Sequence, residues 1–231
     1  VTVESNPRIF TDVTVDPFVR GFLHRPDTPS GKGIVLTHGA GSNCQAPLLI
    51  ALAETFTQVG FFVLRCDLPF RQDRSYGPPA PYDGKRDRAG LKNAVAALRN
   101  LAEGPVFLGG HSYGGRQASM LCAEHTEAPA AKHDPDPIPA LLLMSYPLHP
   151  PRKPDQRRTQ HFFTLNTPTL FVQGTRDPFG SIEEIEKALK LIPAKTKLMQ
   201  VEGAGHDLGF KGKTKRPELP AEILKQFDNL L

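Results

Sequence analysis

Three side chains of the types that can together perform acyl transfer stand far apart in this sequence: Ser112 in "GGHSYGG", Asp177 in "TRDPFG" and His206 in "EGAGHDLGF". A serine hydroxyl is a poor nucleophile until a base takes its proton and a third group orients that base. Ser112 lies in Gly-x-Ser-x-Gly, completed by Gly110 and Gly114 and strengthened by Gly109 and Gly115. Glycines here let a strand and the following helix approach closely, so that a sharp turn exposes the hydroxyl at the positive end of the helix. Each residue alone also has a plain reading: Ser112 in an ordinary turn, Asp177 as a turn former before Pro178, His206 as a surface histidine. Together they occur in the order Ser, Asp, His, each just past an apolar run, and that order points to a catalytic triad.

The tetrahedral intermediate of acyl transfer needs donors already aimed at its oxyanion. The segment "LTHGAGSN", Leu36–Asn43, is glycine-rich and follows an apolar run. Ala40 is the first choice for one backbone donor, with Gly41 as the alternate, and Tyr113 supplies the other from the residue after the nucleophile. A dinucleotide fingerprint is a weaker reading of the same loop, because the third glycine of that motif falls at Cys44. A phosphate-binding loop fits neither "YDGKRD" nor "FKGKTKR", which lack its first glycine.

These residues need strands to carry them. Short apolar runs bounded by turn residues recur at "GIVLTHG", "GFFVLRCD", "PVFLGG", "PALLLMSYP", "PTLFVQG" and "KLMQVEG". Continuous rather than alternating apolar character in so short a run indicates a strand covered on both faces, hence a mainly parallel sheet. Between the runs, Ala46–Val59, Asp87–Leu101, Ile182–Leu191 and Pro217–Leu231 carry the apolar spacing of amphipathic helices. Strand alternating with helix predicts an α/β, doubly wound sheet, and "RIFTDVTV" with "FVRGFLH" predicts an antiparallel N-terminal hairpin at one edge. Phe70–Arg88, Thr126–Pro139 and Leu148–Leu165 are rich in proline or charge and are expected to be loops. No composition shift marks a second domain and no insertion is large enough for a cap, so residues 1–231 are expected to form a single domain.

The composition bounds the partners. Of 231 residues, 39% are hydrophobic, enough for one sizeable core, and the net charge of +4 is spread with acids among bases. Nucleic-acid binding is therefore not expected. No window approaches the roughly 18 apolar residues that would span a bilayer, so no membrane partner is expected. Cys44, Cys66 and Cys122 form no metal-ligand spacing and suggest reduced thiols in the cytoplasm.

Other residues invite a role. His38 is expected to brace the oxyanion loop and His111 to pack beside the serine turn. Arg71, Arg74, Lys85, Arg86 and Arg88 form one basic run; Arg152, Lys153, Arg157, Arg158 and His161 form another. Both runs reach the carboxyl edge of the sheet, where they would attract an acidic substrate, although Asp73, Asp83, Asp87 and Asp155 among them favour two solvated surfaces. The basic "KGKTKR" is expected to be solvated. Gly41, His149, Phe162 and Phe179 are candidates for the substrate pocket; Phe162 and Phe163 either wall it or anchor their loop.

Taken together, "GIVLTHGAG", "GFFVLR", "VFLGGHSYGGRQAS", "SYPLHPP" and "TPTLFVQGTRDPFG" resemble the α/β-hydrolase superfamily over nearly the whole chain from about Gly33. Within it they are similar to a cap-less group containing testis-expressed hydrolase-like and NSL-complex-subunit-three-like proteins, bordering the dienelactone hydrolases. The resemblance implies a sheet of eight or slightly fewer strands, with Ser112, Asp177 and His206 as nucleophile, acid and base. It implies a small-molecule acyl substrate and neither metal nor organic cofactor. Dienelactone hydrolases typically use cysteine, so Ser112 departs from them. Some eukaryotic relatives serve as complex subunits, which leaves a non-catalytic scaffold as the alternative to a serine esterase.

Overall fold

The computed structural model describes residues 7–127, 137–210 and 216–231. Its strands are β1 (Arg8–Asp12), β2 (Val19–His24), β3 (Gly33–Thr37), β4 (Phe62–Cys66), β5 (Val106–His111), β6 (Leu141–Met144), β7 (Thr169–Gly174) and β8 (Thr196–Val201). They form one sheet in the order β1-β2-β4-β3-β5-β6-β7-β8. The pairs β1–β2 and β2–β4 are antiparallel, and every later pair is parallel. The N-terminal hairpin thus lies at one edge, as its sequence predicts.

The helices are α1 (Pro47–Gln58), α2 (Pro69–Asp73), α3 (Asp83–Arg99), α4 (Tyr113–Glu127), α5 (Ile182–Leu189) and α6 (Leu219–Asp228). They cover both faces of the sheet, which explains the continuous apolar runs. Val35 of β3 and Leu141 and Leu143 of β6 face α3, α4 and α5 through Leu98, Leu121 and Ile185. Ile34, Leu36, Leu142 and Met144 face the other way, against Leu49, Leu52 and Phe56 of α1 and Ile223 and Phe227 of α6. Phe227 meets Phe107 edge to face at 5.3 Å, and a fully buried side chain of this size contributes about 3 kcal/mol. The edge strand β8 is mostly half-buried.

Two departures from the sequence reading concern the segment Phe70–Arg88. It contains α2, started by Pro69 in the first turn, and the opening turns of α3. The Asp83 carboxylate accepts the Ala80 N–H at 2.7 Å and pairs with Arg74, holding the start of α3. Asp87 is not solvated but fully buried. In the third predicted loop, Phe162–Thr164 form a single 3-10 turn. Helix α4 continues through Glu127, whereas residues 128–136 of the second predicted loop and 211–215 of the basic "KGKTKR" lie outside the described residues. Among the described residues no helix is long and apolar enough to cross a membrane.

Candidate active site

Strand β5 delivers Ser112 and α4 leaves from it. Ser112 has φ +52°, a left-handed conformation that costs a residue with a side chain on the order of 1–3 kcal/mol. Its N–H bonds the Met144 carbonyl at 2.8 Å, and its carbonyl accepts the Arg116 N–H at 3.0 Å, the first bond of the α4 ladder. The crossing is too close for side chains: a Cβ on Gly110 would lie 2.5 Å from the Gly115 nitrogen, and one on Gly115 would lie 2.6 Å from the Gly110 carbonyl oxygen. The glycine-rich composition around the serine is therefore a packing requirement.

Loops after β7 and β8 bring the other two side chains to this turn. His206 Nε2 lies 2.7 Å from Ser112 Oγ, and its Nδ1 lies 2.8 Å from Asp177 Oδ2. Asp177 Oδ1 accepts the Phe179 N–H at 2.9 Å, so both carboxylate oxygens are engaged and the side chain is fully buried. Backbone bonds Arg176 N–H to Ala204 O (2.9 Å) and Thr175 N–H to Val201 O (3.1 Å) knit the two loops together. The His206 ring stacks 4.2 Å from Phe179, and His111 Nε2 donates to the His206 carbonyl at 2.7 Å. The imidazole is thus held on both sides while staying about one-quarter exposed, with access to water.

The loop after β3 forms the facing wall. His38 is fully buried; its Nδ1 donates to the Gly39 carbonyl at 2.8 Å and its Nε2 accepts the Leu68 N–H at 3.1 Å. Burial pulls its pKa down to about 4, so the ring is a neutral brace. Gly114 N–H bonds the His38 carbonyl at 3.2 Å, tying this loop to the serine turn. Arg71 holds the loop from behind. Its guanidinium donates to the carbonyls of Ser42 and Ala40 at 2.8 Å each, and to Gly77 at 2.8 Å and Arg74 at 3.1 Å. A trans peptide points its N–H opposite to its carbonyl. The Gly41 N–H is thereby turned away from Arg71, and the Ala40 N–H away from the His38 ring that engages the Gly39 carbonyl.

Tyr113 is fixed as well. Its hydroxyl donates to Asp87 Oδ2 at 2.7 Å while Asp87 Oδ1 accepts the Phe70 N–H at 3.0 Å. Burial raises the pKa of Asp87, and burial together with Asp87 raises that of Tyr113. This buried link was hidden in the sequence, where Asp87 sits in a charged run; its position on the inner face of α3 was the available signal. Arg71 was likewise read only as part of a basic run.

An open cleft of about 950 Å³ unites these parts. Ala40, Gly41, Ser112, Tyr113, Phe179 and His206 line it, with Asp177 behind the histidine. Two residues expected at the pocket are elsewhere. Phe162 is buried in the core against Tyr146 and Phe171, because its neighbour Phe163 takes the outward position, 63% exposed. His149 points toward α5, where its ring contacts the Pro150 carbonyl and Glu184 of the helix-capping box. Among the described residues no group of three or more His, Cys, Asp or Glu side chains is gathered for a metal ion. Cys44, Cys66 and Cys122 are all buried.

A family model described as an alpha/beta hydrolase domain matches residues 30–226, and the chain belongs to this family. Solved structures of similar fold span nearly all of it. One is a dienelactone hydrolase from Anabaena variabilis, 21% identical, covering 97% of this chain and 96% of that one with a TM-score of 0.69. Another is an α/β serine hydrolase without lid from Xanthomonas campestris, 15% identical, covering 99% and 97% with a TM-score of 0.69. A third is Est1E from Butyrivibrio proteoclasticus, 16% identical, covering 97% and 98% with a TM-score of 0.68. Like the lidless structure, this chain inserts only the 3-10 turn between β6 and β7 among its described residues.

Proposed function

We propose that this protein is a serine hydrolase that cleaves a small-molecule ester or related acyl bond through an acyl-enzyme. The observation that carries the reading is the unbroken line of hydrogen bonds from Asp177 through His206 to Ser112 Oγ, at 2.8 and 2.7 Å, ending in an open cleft. His206 Nε2 takes the serine proton as Oγ attacks the carbonyl carbon. Asp177 holds Nδ1–H and stabilises the imidazolium. Backbone N–H groups of Ala40, with Gly41 as alternate, and of Tyr113 receive the oxyanion. His206 then returns the proton to the leaving alcohol, and water, activated by the same imidazole, releases the acid from Ser112. The family match and the serine hydrolases and esterases of the same fold favour this chemistry.

A fluorophosphonate probe tests it, since phosphonylation requires a basic-assisted serine. Wild-type protein is expected to label stoichiometrically and Ser112→Ala not at all. No labelling of the wild type, or undiminished labelling of the variant, would leave a hydrolase fold serving as a scaffold instead.

A further inference from the structure

The cleft carries a charge imbalance that acyl transfer does not require. Lys85, Arg88, Arg116 and Arg158 line it, and no lining residue among those described is a carboxylate. Arg88 is accounted for by Glu124 at 2.7 Å and Gln117 at 2.9 Å. Arg158 donates to the Pro147 carbonyl at 3.3 Å. Arg116 lies half-buried one helical turn beyond Ser112; its Nε is buried without a hydrogen-bond partner, and unlike Arg88 it pairs with no carboxylate among the described residues.

Other guanidinium groups in this protein are held: the buried Nε atoms of Arg88 and Arg216 also lack a hydrogen-bond partner, but Arg88 pairs with Glu124 and Arg216 donates to the Glu202 carbonyl. Arg71 serves four carbonyls, and Arg65 donates to the Cys44 carbonyl at 2.6 Å and to His24 at 2.9 Å. A buried donor left without an acceptor is destabilising, and like charges alongside add to that. The charges next to Arg116 are of its own sign. Burial, then Arg116, lowers the pKa of Arg158; burial, then Arg116 and Arg88, brings His161 down to about 4 and keeps it neutral. The neutral His161 ring is spent on Ser119 Oγ, 2.8 Å away. An anion beside Arg116 would supply the missing acceptor and offset the like charges. Four residues along a helix span about 6 Å, so that anion would sit within reach of a carbonyl bound at Ser112.

We propose that Arg116, seconded by Arg158, is a specificity-determining site for a carboxylate on the substrate itself, making the preferred substrates anionic esters. This rests on the serine hydrolase reading above. A planar guanidinium takes a carboxylate by two parallel hydrogen bonds, and the cationic cleft raises the local concentration of such esters. The carboxylate belongs either to the acyl part or to the alcohol part, which two pairs of esters separate. The first pair is the para-nitrophenyl half-ester of glutaric acid against para-nitrophenyl valerate. The second is para-acetoxybenzoate against its methyl ester.

In wild-type protein at least one anionic ester is expected to be cleaved with a kcat/KM about tenfold or more above its neutral twin. The pair that shows the preference identifies the part that carries the charge. In Arg116→Gln that ratio falls to within about twofold of unity. Lys225→Gln removes the same charge from α6 and keeps the wild-type ratio, separating a local site from the net charge. If turnover is too slow to follow, the two esters of each pair are compared as protectants of Ser112 against the fluorophosphonate, with the same ratios expected. Absence of preference in both pairs overturns the proposal. So does an equal loss for both members of a pair in Arg116→Gln, or an equal effect of Lys225→Gln. Failure of wild-type protein to label overturns the hydrolase reading as well; labelling without anion preference overturns this proposal alone.

Discussion

Asp87 illustrates how a single residue changes meaning once its neighbours are known. In a run with Lys85, Arg86 and Arg88 it reads as one more solvated charge, but α3 begins early enough to turn it inward. There it accepts from the Phe70 N–H and the Tyr113 hydroxyl, linking α2 and α3 to the residue after Ser112. Asp87→Ala strips the acceptor from two buried donors. It is expected to lower the unfolding free energy by about 3 kcal/mol in urea titrations. A solvated aspartate in the same place would cost under about 0.5 kcal/mol. Ser112, Asp177 and His206 stood out in the sequence because each lies within two residues of glycine or proline just past an apolar run, and the structure brings the three within hydrogen-bond distance. Phe162 and Phe163 were not: adjacent aromatic residues on an irregular segment carry no period that says which one turns inward. Arg116 was missed for a related reason, as one basic residue on a helix otherwise noted for its small side chains.

At the scale of elements, the strands were the most legible part, because burial on both faces writes an unbroken apolar run that alternation with turn residues delimits. The helix α2 and the first turns of α3 were obscured by Pro78, Pro79, Pro81 and dense charge, since their inner face is built from Phe70 and Asp87 rather than from an apolar stripe. The element most specific to the site is the loop after β3, held between the His38 ring and the Arg71 fork. On the proposed mechanism its donors have to be aimed before the oxyanion forms, so the clamp would act on kcat more than on KM. Arg71→Met is expected to lower kcat for a neutral ester by about a hundredfold with a much smaller change in KM. Arg71→Lys should restore little, because one ammonium cannot serve the carbonyls of Ser42, Ala40, Gly77 and Arg74 together. Steady-state kinetics of the three proteins decides this; a kcat near that of the wild type in Arg71→Met, a loss carried mainly by KM, or full recovery in Arg71→Lys would contradict it.

At the scale of the whole molecule, a mainly parallel sheet gathers its strand ends at one edge, and the site is built from that edge alone. The loops after β3, β5, β7 and β8 carry Ala40, Ser112, Asp177 and His206. This is why residues separated by 94 and 29 positions in sequence meet within hydrogen-bond distance. The absence of a cap between β6 and β7 among the described residues leaves the cleft open, with the basic residues of the flanking segments around it. The central claim is that this edge transfers an acyl group through Ser112. Mass spectrometry of protein mixed with para-nitrophenyl acetate and quenched in acid measures that intermediate directly. One acetyl group on the peptide containing Ser112, absent from Ser112→Ala and accumulating with the first release of para-nitrophenol, is the result this account requires. Acetylation at another residue, or para-nitrophenol release that Ser112→Ala leaves unchanged, would contradict it.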